Sequence, residues 1–138
     1  MNQIYYLWIF FANFRIQNPQ TIILVNKSNI FVYAELSKLA SNLSSDPSLA
    51  KQSLKLQAGY FNIITPDYFS DGLASEWENI TSTLKQKGAK ISEEGNIEKN
   101  AYRNTIYQMS VEECLEIISR INSIFEQVKL ELGFPQEV

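Results

Sequence analysis

Apolar residues recur with a helical period over most of the chain. Leu36, Leu39, Ala40 and Leu43 fall at i, i+3, i+4 and i+7, which predicts a short helix near 35–43. Ser44-Ser45-Asp46-Pro47 ends it and opens the next. Asp46 suits an N-cap, and Pro47 suits the first helical position, where its missing N–H is not needed. The second helix is predicted over 47–64, with Ala50, Leu54, Ala58 and Phe61 on one side and Leu49, Leu56 and Ile63 widening the stripe. Gly59 lies inside it, at a cost of about 1 kcal/mol relative to alanine. After Thr65-Pro66, the spacing of Phe69, Leu73, Trp77, Ile80 and Leu84 predicts a third helix over 67–87. Lys85, Lys87 and Gly88 suit its C-terminal end. Ser110 followed by Glu113 forms a capping box before Val111, Cys114, Leu115, Ile118, Ile121, Phe125, Val128 and Leu132. Ile117 and Ile124 broaden that stripe, and Gly133-Phe134-Pro135 stops it, so the fourth helix is predicted over 111–132. Residues 89–100 are polar and read as an exposed connection, while 101–109 fit either a short helix or an extended strip. Four amphipathic helices joined by short polar breaks predict an all-α fold, a four-helix bundle over 34–138.

Residues 1–33 follow a different pattern. They carry Arg15 and Lys27 with no acid, whereas the remainder has ten basic and fifteen acidic residues. Eight of the seventeen aromatics fall here, which sets 1–33 apart as an apolar N-terminal arm. Segments 4–16, 21–25 and 30–33 are rich in aromatic and β-branched residues and are separated by turn formers, as in a β-meander or an irregular packed arm. A second reading places the arm outside the evolved domain, because sixteen Ile and twelve Asn in the chain suggest an AT-rich coding sequence. A membrane anchor ranks third: the apolar run 4–12 is about half the length of a spanning helix. An arm of this composition has to hide its aromatics, which makes Trp8, Phe10, Phe11 and Phe14 the candidate interface residues.

Composition narrows the chemistry. The 138 residues form one domain by length, with no histidine and a single cysteine, Cys114. A Cys/His zinc site, a Ser–His or Cys–His nucleophile pair and an intrachain disulfide are therefore excluded. The net charge of −3 argues against a binder driven by nucleic-acid phosphates. The five glycines, at 59, 72, 88, 95 and 133, make no phosphate loop.

One string carries a motif. Glu112-Glu113-Cys114-Leu115-Glu116 resembles the EExxE half of the motif in MazG-type all-α nucleotide pyrophosphatases. The resemblance implies carboxylates on one helical face holding magnesium against a nucleoside triphosphate. The family's downstream ExxD is absent here, and helix capping accounts for the same acids. Tyr102, Arg103, Tyr107 and Met109 form an aromatic–basic cluster near Lys99. Its cations are too few for single-stranded nucleic acid, and Tyr107 and Met109 read as packing residues. Cys114, beside the apolar stripe, reads as a core residue rather than a reactive thiol.

These readings converge on a cytoplasmic, non-enzymatic helical interaction module that needs no cofactor or metal. Its expected partner is a protein or a second copy of itself, with no nucleic acid and no membrane. The alternatives are a magnesium-dependent nucleotide hydrolase using Glu112, Glu113 and Glu116, and a membrane-associated protein anchored by the N-terminal segment.

Overall fold

The helical period of the first amphipathic stretch begins earlier than Leu36. In the computed structural model, which describes residues 3–6 and 24–133, helix α1 spans Ile30–Asn42. The Asn29 side chain caps it by accepting the Val32 N–H at 3.0 Å. Val32, Leu36 and Leu39 then line one buried face. Residues 30–33, expected as an extended segment, are thus the first turn of a helix; the cap and the continuing apolar period override their β-branched and aromatic preference. Before α1, strands β1 (Gln3–Tyr6) and β2 (Leu24–Lys27) pair antiparallel, Gln3 opposite Lys27 and Tyr6 opposite Leu24.

The single helix expected over 47–64 is two helices, α2 (Ala50–Leu56) and α3 (Tyr60–Ile63). Asp46 starts the segment as its sequence suggests: its carboxylate accepts the Ser48 N–H and its carbonyl accepts from Leu49 and Ala50. After Leu56 the backbone tightens into successive i→i−3 bonds, Ala58 to Lys55, Tyr60 to Gln57, Phe61 to Ala58 and Asn62 to Gly59. Leu54, Ala58, Phe61 and Ile64 all stay on the core side through the tightening around Gly59, so the apolar stripe read from the sequence survives the break.

The third predicted helix also divides. Pro66–Tyr68 form a 3₁₀ turn, and α4 (Asp71–Leu84) follows Ser70. Phe69 sits buried between the two, and Trp77, Ile80 and Leu84 continue inward along α4. The polar connection is exposed but ordered as a small hairpin of β3 (Lys90–Ile91) and β4 (Ile97–Lys99). Helix α5 (Ala101–Gln108) decides the ambiguous segment, with Asn100 capping it through the Arg103 N–H. Helix α6 (Val111–Glu131) starts at the expected capping box, with both reciprocal bonds present.

The architecture is mostly helical and centres on α6. Helices α1, α2 and α4 pack against it, and α5 fills the angle between α2 and α4. Cys114, Ile117, Ile118, Ile121, Ile124 and Val128 of α6 are buried, so the broad stripe read from the sequence is covered from more than one side. An aromatic chain runs through the remaining core. Tyr102 meets Phe61 with ring centroids 5.4 Å apart, Phe61 meets Trp77 at 5.8 Å, and Trp77 meets Phe69 at 5.4 Å. Trp77 Nε1 donates to the Ile64 carbonyl at 2.8 Å, so its one polar atom is satisfied inside the core.

A carboxylate closes the far end of the body. Glu131 Oε1, in the last turn of α6, accepts from Ser28 N at 3.0 Å and from Ser28 Oγ at 2.7 Å. Its Oε2 accepts from Ser70 Oγ at 2.5 Å, and Ser70 N donates to Ser28 Oγ at 3.2 Å. One side chain therefore ties the start of α1, the start of α4 and the end of α6. Charge-assisted bonds of this kind are stronger than neutral ones, and removing the acceptor strands the buried Ser28. Glu131→Ala is expected to cost about 1–3 kcal/mol in urea unfolding, with the midpoint lowered and the slope unchanged. An unchanged midpoint would mean that apolar packing alone holds these ends together.

Candidate functional site

The acidic string at the start of α6 is taken up by helix capping. Glu113 Oε1 accepts the Ser110 N–H at 2.9 Å, and Ser110 Oγ accepts the Glu113 N–H at 3.1 Å. Glu112 and Glu116 are exposed on the outer face of the helix. Glu113 and Glu116 border a shallow 80 Å³ depression with Arg120. Among the described residues no group of three or more His, Cys, Asp or Glu side chains comes together to hold a metal. The Ser110 bonds hold the Glu113 carboxyl below its ordinary value, with smaller help from Lys87 and Lys51. Cys114 lies one residue further on and is buried, and that burial pushes its thiol up. It packs as a core residue. Trp8, Phe10, Phe11 and Phe14, the expected interface residues, lie outside the described residues.

The aromatic–basic cluster divides in two when α5 forms. Tyr102, Thr105, Ile106 and Met109 face the core. Arg103 and Tyr107, four residues apart, share the opposite side and are exposed. Tyr107, expected to pack, is 57% exposed; it lies off the buried stripe of an eight-residue helix that turns only its other side inward. Two polar bonds hold α5 in this orientation. Asn104 Nδ2 donates to the Gly88 carbonyl at 2.8 Å, and Thr105 Oγ1 accepts the Lys87 N–H at 3.1 Å. Both lock α5 to the turn that ends α4.

Packing of α2 against α5 brings in cations that lie some fifty residues away in sequence. With Ala50 and Leu54 turned inward, Lys51 and Lys55 stand one helical turn apart on the flank of α2. Lys51 Nζ donates to the Tyr107 carbonyl at 3.2 Å. Lys99 Nζ, from the end of β4, sits over the Tyr107 ring 3.9 Å from its centroid, and Lys55 Nζ sits 5.8 Å from it. Gln52, Lys55, Leu56, Glu98, Lys99, Arg103 and Tyr107 enclose a cleft of about 270 Å³. Leu56 is 62% exposed at its edge. Glu98, the one acid there, pairs with Lys90 at 3.1 Å. Lys51, Lys55, Lys99 and Arg103 make no ion pair with any carboxylate among the described residues.

Two larger grooves flank the outer face of α6, of about 480 and 330 Å³. Ser119, Ser123 and Gln127 line both, and their charged members are matched or peripheral. Glu76 Oε1 accepts from Arg120 Nε at 2.8 Å in the second groove. The first groove offers neutral hydroxyls and amides and the second a mostly apolar lining of Leu73 and Ile124 beside the Glu76–Arg120 pair, whereas the Tyr107 cleft offers unmatched charge beside exposed apolar surface. Among the described residues no helix is long and apolar enough to cross a membrane. Compared with known protein families, curated proteins and solved structures, the chain matches none of them.

The depressed value of Glu113 carries a pH consequence. A carboxyl whose pKa falls on folding adds stability above its unfolded value, and the gain is lost as pH falls through the folded one. At neutral pH the Glu113→Gln variant should therefore melt in urea at a lower midpoint than the parent. The gap should narrow as pH drops through the acidic carboxylate range. A gap of the same size at every pH would contradict the capping role of the ionised side chain.

Proposed function

We propose that this protein is a small, non-enzymatic helical interaction module of the cytoplasm whose docking surface is the face formed by α2, α5 and β4. What carries the reading is Tyr107: an aromatic side chain more than half exposed, with the Lys99 and Lys55 ammonium groups 3.9 and 5.8 Å from its ring centroid, in a cleft edged by exposed Leu56. Isolated exposed apolar residues are ordinary on soluble proteins. Tyrosine and arginine are the residue types that dominate binding hot spots, and here they share one concave patch with the exposed apolar surface of Leu56. The patch is also built on short but bolted elements, so little ordering would accompany binding. In this reading the body is a four-helix bundle in which α1, the α2–α3 pair, α4 and α6 take the four places and α5 presents the surface.

A photo-crosslinking residue tests the assignment. With p-benzoylphenylalanine in place of Leu56, cells expressing the full chain should yield a discrete adduct on irradiation. The same residue at Gln127, on the outer face of α6, should yield none. Adding Lys99→Glu should remove the adduct at 56 with only a small change in thermal unfolding, because Lys99 forms no ion pair and gives up only its contact over the exposed Tyr107 ring. No adduct at 56, or equal labelling at both positions, would overturn the proposal.

A further inference from the structure

Resting on that reading, we infer that the ligand of the Tyr107 face is an acidic segment of a partner protein that carries an apolar anchoring side chain. The chain as a whole is acidic, at −3, yet this face gathers Lys51, Lys55, Lys99 and Arg103, with Glu98 the one acid lining the cleft and Glu113 near Lys51 behind it. Glu98 is already engaged with Lys90. Like charges brought this close repel one another, and the π-face of Tyr107 offsets only part of that repulsion for the two ammonium groups above it. An incoming carboxylate would complete the arrangement.

Three features choose an acidic peptide over other anions. First, Lys99 Nζ covers one face of the Tyr107 ring, 3.9 Å from its centroid, which competes with the stacking by which single-stranded nucleic acid is held. Second, the cleft of about 270 Å³ is smaller than the pockets that enclose a drug-sized ligand, and it suits one anchoring side chain. Third, Leu56 is exposed at the rim and Gln52 stands one turn before it on α2, which offers an apolar contact and an amide beside the cations. A peptide uses all of these: carboxylates on the cations, an apolar side chain against Leu56, and backbone groups on Gln52. A bare phosphate or a lipid headgroup would leave Leu56 unused.

Display selection of short random peptides on the full chain tests this without assuming a sequence. The selected peptides should be enriched in Asp and Glu flanking an apolar residue. A fluorescein-labelled member should bind with anisotropy that falls steeply as salt rises, because the cations lie at the surface. Lys99→Glu and Arg103→Glu should each weaken binding about tenfold or more, while Lys38→Glu, on the exposed side of α1, should not. Selected peptides that lack acidic enrichment but lose binding in Leu56→Asp would overturn the ligand class and leave the docking face standing. Failure to select any peptide, together with no crosslink at 56, would overturn both. Tighter binding of single-stranded DNA or of phosphatidylserine vesicles than of any selected peptide would overturn the choice of partner. So would a dimer in light scattering that Lys99→Glu dissolves, since a second copy would then fill the surface.

Discussion

Helix α6 is too apolar around its circumference to be covered by one neighbour. Ile117 and Ile118 are adjacent in sequence and both buried, as are Ile121, Ile124 and Val128 further along. Adjacent residues on a helix point about 100° apart, so burying both requires neighbours in different directions. Helices α1, α2 and α4 supply them. Glu112, Glu113, Glu116, Ser119, Ser123, Glu126, Gln127 and Leu130 are the residues of α6 left exposed to water. The ends of α6 are fixed as firmly as its middle, by the Ser110–Glu113 capping box at the start and by the Glu131 bonds to Ser28 and Ser70 at the finish. Both ends use a glutamate, in one case to satisfy the helix's own N–H groups and in the other to gather neighbouring chain starts.

The surface follows from this covering. Because α2 turns Ala50 and Leu54 inward and α5 turns Tyr102 and Ile106 inward, their outward residues stand side by side. Lys51 and Lys55 on one helix thus meet Arg103 and Tyr107 on the other. The hairpin that precedes α5 then delivers Lys99 onto the tyrosine ring. None of these side chains is required for the core. An acidic chain that keeps four cations together on one rigid face has a charge asymmetry that solubility alone does not explain.

Much of the fold was legible because a few elements carry redundant signals. Helix α6 combines a capping box, a long apolar period and a Gly-Phe-Pro stop, and Cys114 falls on its inner edge; each signal agrees with the others. Asp46-Pro47 and the stripe from Trp77 to Leu84 were readable for the same reason. The break at Gln57–Gly59 was harder to see, because a tightened turn preserves the apolar stripe and only Gly59 marks it. Residues 30–33 look like a strand in composition, and the Asn29 cap that makes them helical is a single polar side chain. The cation–tyrosine cleft was half legible. Lys99, Arg103 and Tyr107 lie close in sequence, but Lys51 and Lys55 reach them only through the packing of α2 on α5. Tyr107 read as a core residue because an eight-residue segment that fits helix or strand does not reveal which side faces in.

Helix α6 organises the body, and through α2 and α4, which pack on it, α5 is kept in place behind the Tyr107 face. Native-state hydrogen exchange measures this directly, amide by amide. The amides of Ile117, Ile118, Ile121 and Ile124 should exchange only through global unfolding, and those of Leu54 and Ile106 should approach the same limit. If the amides of α2 and α5 exchanged through a separate, low-energy opening while α6 stayed protected, the face would not be a preformed surface and the account would be contradicted.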